Sequence, residues 1–152
     1  MDTIMNLLGN FDPVALLPDI STAVGLMELF ARIAILIVPA LLLTFGLLYF
    51  FKPVNEANHI FGYRTYFGMG SVEAWRFAQR FAGFIYMILG GVMTFAMLIV
   101  SIVLIGKDTI TLLTIAAICL VIEAILTGLA VLGINIYLAV LYDRDGYRRG
   151  TR

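Results

Sequence analysis

Long uncharged runs alternate with short polar interruptions along this chain, and the lengths of the runs carry the first argument. Ile33 to Phe51 is 19 residues without a charge, Phe81 to Gly106 is 26, and Thr109 to Tyr142 is 34 interrupted only by Glu123. At about 1.5 Å per helical residue the shortest run spans about 28 Å, matching a hydrocarbon layer of roughly 30 Å. The pattern predicts three membrane spans, over residues 28–51, 77–106 and 110–142. The third run would extend past the bilayer as one straight helix of about 51 Å. Pro39 removes an amide donor inside the first span, a loss that neighbouring helices make tolerable in membranes. Gly83, Gly90 and Gly91 on the second span, and the Ala124/Gly128 pair on the third, mark faces where another helix can approach closely. Glu28 and Arg32, four residues apart ahead of the first span, read as an interfacial ion pair.

Composition agrees with the pattern. Of 152 residues 62% are hydrophobic and 13% charged, against about 45–50% and about 25% in soluble domains. The expected fold is an all-α, integral-membrane three-helix bundle. Ten basic and ten acidic side chains cancel, so no net field points to nucleic acid. Cys119 is the sole cysteine and lies in an apolar run, without a disulfide partner or companion metal ligand.

The polar remainder divides the chain further. Residues 1–24 carry Asp2, Asp12 and Asp19 but no Lys or Arg, and are broken by Pro13 and Pro18. That is the opposite sign to a secretory leader, so the segment is expected to be retained and to lie at the membrane interface outside the cytoplasm. Residues 25–143 form the membrane domain, with a loop over 52–76, and 144–152 form a basic tail. Lys52, Arg64, Arg76, Arg80, Arg144, Arg148, Arg149 and Arg152 fall on one side of a three-span topology, and Arg32 and Lys107 on the other. The positive-inside rule then puts the N-terminus outside and the loop and C-terminus on the cytoplasmic side. Tyr49, Tyr137 and Tyr142 fall near the inner boundary, where aromatic rings prefer to sit.

The stretch Asn55 to Gly83, NEANHIFGYRTYFGMGSVEAWRFAQRFAG, is the only long polar interruption and the expected seat of recognition. Pro53 ends the first helix, and Gly62, Gly68 and Gly70 permit tight turns or close approach. Ser71 is placed to cap a helix whose first turn carries Glu73, with Arg76 and Arg80 on the following turns. Trp75, Phe77 and Phe81 would anchor its apolar side to the bilayer surface or to other helices.

The same residues carry a family resemblance. Asn58-x3-Gly62-x-Arg64-Thr65, then Ser71-x-Glu73-x-Trp75, then Arg80-x-x-Gly83 opening a span, resembles the SdpI family of small bacterial membrane proteins. The resemblance covers about residues 35–142 and departs at Tyr66, Gly68 and Gln79, where the family often carries proline, threonine and histidine. It implies a non-enzymatic binding protein. The best-studied member confers immunity to a secreted membrane-acting toxin and relays its presence by holding a repressor at the membrane.

In chemical terms, the Arg64 guanidinium suits a carboxylate or phosphate. It can clamp a lipid headgroup, an acidic partner, or Glu73 or Glu56 of its own loop. Asn58, Gly62, Thr65, Ser71, Glu73, Trp75, Arg76 and Arg80 complete the candidate partner- or lipid-binding set. Trp75 reads as an interfacial anchor or a stacking ring, and His59 as a pH sensor or a solvated side chain. Glu123 needs a separate reason, since a carboxylate in mid-membrane costs several kcal/mol unless protonated, paired or hydrated. Arg32, Thr94 and Ser101 are the candidate partners for it; the alternatives are a proton- or ion-linked role or a bound partner. No catalytic, cofactor or metal constellation is present in the sequence.

Function is thus expected to lie in binding: toxin immunity or signal relay through the loop. An accessory subunit of a larger assembly such as a transporter, and a proton- or ion-linked oligomeric transporter built on Glu123, are the other readings. Membrane lipid, another membrane protein or a second copy, a peptide toxin and a cytoplasmic regulator are the expected partners; nucleic acid is not.

Overall fold

A computed structural model describes residues 20–54 and 62–150. Among them are three helices, α1 (Ile20–Phe51), α2 (Val72–Val103) and α3 (Thr109–Leu141), and no strand beyond one isolated bridge. Each is long and apolar enough to cross a membrane. Helices of 32, 32 and 33 residues measure roughly 48–50 Å, more than the roughly 30 Å hydrocarbon layer, so their ends project from it or the helices tilt. α1 therefore begins well before the 19-residue uncharged run.

Local chemistry sets the helix ends. The Lys52 amide donates to Leu48 O at 2.9 Å, and Pro53 follows, where the residue before proline disfavours the helical conformation. Ser71 caps α2 by accepting from the Ala74 amide at 3.1 Å. α2 closes at Leu104, and the chain turns through Gly106 and Lys107. The Asp108 carboxylate then starts α3 by accepting from the Thr111 amide at 2.9 Å. That bond holds the Asp108 carboxyl below its ordinary value.

Packing is most extensive between α1 and α2, and glycine makes it so. A Cβ on Gly46 would lie 2.3 Å from Met87 N, one on Gly83 2.5 Å from Phe50 N, and one on Gly90 2.4 Å from Leu43 N. The two backbones touch along this seam, with no side chain between them. Gly91 does not share the role, since the nearest atom to a Cβ there is Leu43 Cδ1 at 3.9 Å. Gly128 has nothing within 4 Å and Ala124 is exposed, so the small pair on α3 packs on no neighbour within the described chain.

α3 closes the bundle against both partners. Ile134 and Leu138 join Leu42, Ala78, Ala82 and Tyr86 in one buried cluster, and Ala116 and Cys119 join Ile35 and Met97 in another. α1 runs through buried Pro39 without a break.

The start of α1 is tied to the α2–α3 turn, and here the expected Glu28–Arg32 pair gives way to longer-range bonds. Arg32 donates to Ser101 O at 2.7 Å and Leu104 O at 2.9 Å, satisfying carbonyls at the negative end of α2. Glu28 accepts from the Thr109 hydroxyl at 2.5 Å. Helix-end carbonyls offer the guanidinium two fixed acceptors, while the carboxylate one turn away is engaged by Thr109.

Candidate functional site

The end of the bundle opposite the α2–α3 turn carries a cap built from residues 62–71, the first turns of α2, and the chain that follows α3. Its centre is an amide side chain. Gln79, with no exposed surface, accepts from the Tyr63 amide and donates to the Tyr63 carbonyl, both at 2.8 Å. One side chain thus satisfies both backbone groups of a loop residue, as a neighbouring strand would. Gly62 precedes it at φ +122°, and a Cβ there would lie 2.8 Å from the Trp75 ring and 3.0 Å from Gln79 Oε1. Only glycine fits that position, for conformation and for space alike.

Trp75 itself is fully buried, and its indole N–H donates to Val54 O at 2.8 Å. Of the two anchorages expected for it, the bilayer surface and the other helices, the structure shows the second: the ring faces inward and fastens the end of α1 to α2. Thr65, also buried, folds the loop by accepting from the Gly68 amide at 2.8 Å, and its carbonyl accepts from the Met69 amide at 3.1 Å. The Tyr63 ring reaches across to α3. Its hydroxyl donates to Val131 O at 3.4 Å and accepts from Asn135 Nδ2 at 3.3 Å, and burial pushes the phenol above its ordinary value.

The tail completes the cap. After α3, the Asp143 amide donates to Tyr147 O and its carboxylate accepts from the Asp145 and Tyr147 amides. The Arg149 amide returns to Leu141 O at 2.9 Å, so the chain doubles back as a tight hairpin. Gly146 stands at its tip with φ +77°, and a Cβ on it would lie 2.4 Å from Ser71 N. The Ser71 hydroxyl, besides capping α2, donates to Gly146 O at 2.7 Å. Loop and tail are therefore bonded to each other. Tyr142 is buried in this contact, inside the protein and away from the aromatic belt expected of it. Burial, with the charge of Glu73 adding, pushes its phenol up.

Of the candidate binding residues, Gly62, Thr65, Ser71 and Trp75 hold the cap together, while Arg64, Glu73, Arg76 and Arg80 are exposed on it. Asn58 and His59 lie outside the described residues. Gln79, Tyr63 and the Gly146 turn were missed by the sequence reading. For the turn a signal existed, because Asp145-Gly146 is a dipeptide that marks tight turns.

Glu123 is 1% exposed, between the two buried clusters. Neither of its oxygens, nor the hydroxyl of Thr127 one turn on, has a hydrogen-bond partner among the described residues. None of the three partners proposed from sequence bonds to it. Arg32 is on the α2 carbonyls, one of them that of Ser101, and Thr94 donates to Gly90 O at 2.6 Å. Among the described residues no cluster of His, Cys, Asp and Glu has the makings of a metal site.

No curated protein and no solved structure matches the chain. The profile of the SdpI/YfhL protein family does, over residues 55–141, which takes in the loop, the α2 half of the cap, and both spans that follow. With more than half of its length matched, from the loop that Gln79 and Trp75 pin down to the last turn of α3, the chain belongs to the SdpI/YfhL protein family.

Proposed function

We propose that this membrane protein works by binding, using the cap as a docking platform for toxin immunity, signal relay, or both. The observation that carries this reading is the bonding of loop to tail through Ser71 and Gly146. It joins two separately folded polar segments into one surface, on which Arg64, Glu73, Arg76 and Arg80 are exposed. A surface ordered before binding loses less entropy when a partner arrives. The family is not known as an enzyme family, which supports the non-catalytic reading.

The test is gentle solubilisation of tagged protein from its own host, with wild type and Arg64→Ala compared by native mass spectrometry. A stoichiometric unlike partner that vanishes in the variant supports docking at the cap. Identical monomers or homo-oligomers in both samples overturn it. A membrane-embedded unlike partner that survives the substitution makes the chain an accessory subunit of a larger assembly. The proposed setting is the bacterial inner membrane with the cap in the cytoplasm. It is checked by labelling a cysteine introduced at Arg144 in a Cys119→Ser background with a membrane-impermeant reagent.

One observation favours a second reading. An unpaired acid buried between helices is the usual mark of a proton or ion path. If Glu123 serves one, pH-dependent flux in proteoliposomes disappears in Glu123→Gln; flux that persists, or is absent from wild type, removes this reading.

A further inference from the structure

Two grooves follow one another along the outer face of α2. The upper, of about 560 Å³, is lined by Arg76, Phe77, Arg80, Phe81 and Phe84. The lower, of about 440 Å³, lies between α2 and α3 and is lined only by apolar side chains, among them Ile88, Val92, Leu129 and Ala130. A single row joins them: Arg76, Arg80, Phe84, Ile88 and Val92 are each four residues apart, the spacing of one helix ridge. Its first two members lie on the rim of the upper groove and its last two line the lower one. The row is cationic for one turn and apolar for the next three, and all five residues are exposed.

We propose that this ridge is the binding site of one anionic phospholipid, with the phosphodiester on Arg76 and Arg80 and an acyl chain along Ile88, Val92 and Ala130. Charge complementarity selects the head, because two arginines at i, i+4, with Cβ atoms about 6 Å apart, offer planar N–H donors to phosphate oxygens. The floor beneath them is aromatic: Phe77 and Phe81 stack at 5.8 Å, and Phe81 stacks on Tyr137 of α3 at 4.7 Å. This apolar shelf excludes water and suits the glycerol region. From Arg80 to Val92 the ridge descends about 18 Å, the depth of a hydrocarbon leaflet and its headgroup edge. A soluble anion can use the upper groove only, and a soluble protein cannot reach the lower one inside a bilayer. The site shares Arg76 and Arg80 with the cap surface, but the inference does not rest on docking there and needs no protein partner.

The experiment is native mass spectrometry of the intact chain in detergent, titrated with phosphatidylglycerol, with phosphatidylcholine of the same acyl length, and with inorganic phosphate. The expected result is at least a tenfold preference for phosphatidylglycerol, lost in Arg76→Gln/Arg80→Gln at unchanged melting temperature. Ala130→Trp, which fills the lower groove, should weaken the lipid several-fold while both arginines remain. Equal affinity for the two lipids, or a preference that survives the double substitution, overturns the proposal. So does inorganic phosphate binding as tightly as the lipid, which would make this an anion site without an acyl groove. A dimer abolished by Ala130→Trp in lipid-free protein would assign the lower groove to a second copy instead.

Discussion

Gln79 and Glu123 are both buried polar side chains on helices of the same small bundle, and they live under opposite conditions. Gln79, in the cap, has its acceptor and its donor matched to the two backbone groups of Tyr63. Glu123, in the middle of α3, has no hydrogen bond to either oxygen among the described residues. The contrast separates two uses of buried polarity. A fully paired group specifies a shape, and its partners are found within the chain. An unpaired one costs stability that the fold tolerates, and a proton or an ion is what the second reading above proposes for it.

Substitution breaks the comparison most sharply at its paired end. Gln79→Leu leaves the Tyr63 N–H and C=O buried without partners, at a cost of about 3 kcal/mol. The melting temperature in detergent should fall, and proteolysis should open within the loop. At the other end the sign reverses. Glu123→Leu removes an unpaired acid and is expected to raise stability by about 2 kcal/mol, read as a higher melting temperature. A drop of that size instead would show that the carboxyl has a partner, and the comparison would fail.

Trp75→Phe tests the cap more finely. It keeps most of the ring volume but deletes the bond to Val54 O, and should cost about 1 kcal/mol with the helices intact. The smallest effect is a calibration on an ordinary acid. Asp108 is exposed, and its folded pKa lies below its unfolded value of about 3.9, so its contribution is complete above that value and lost as pH falls through the folded pKa. Stability should therefore decline on acidification below about pH 4, and Asp108→Asn should remove that component while still capping α3. Glu123→Leu should leave this acid limb unchanged.

The three helices were legible because bilayer thickness imposes a length that 19, 26 and 34 residues all meet. Ser71 and the Gly83/Gly90 face were legible too, since a helix cap and a close helix contact each demand particular residue types. The cap's interior was not. Gln79 sits among Arg76, Phe77 and Arg80, where an amide reads as solvated. Trp75 stands between Glu73 and Arg76, where an indole reads as interfacial. Periodicity assigns a residue to a face of its own helix, and says nothing of a loop folding back over that face. Lys107 and Arg32 are a parallel case: both are lone cations at the far end, yet only Arg32 is turned onto the α2 carbonyls. Long-range geometry decided between them.

The bond between the Ser71 hydroxyl and Gly146 O joins positions 75 residues apart. Ribosomes add roughly 5–20 residues each second, so during synthesis Ser71 waits roughly 4–15 s for the hairpin that completes the cap. Over that interval α1 and α2 can already have zipped together along Gly46, Gly83 and Gly90, and Gln79 can hold Tyr63, while the loop still lacks its bond to the tail. A nascent chain stalled just after α3 would hold all three helices and an unlatched loop. The tail hairpin is thus a seal set late in biosynthesis, and the surface proposed for docking is complete only on chains translated through it.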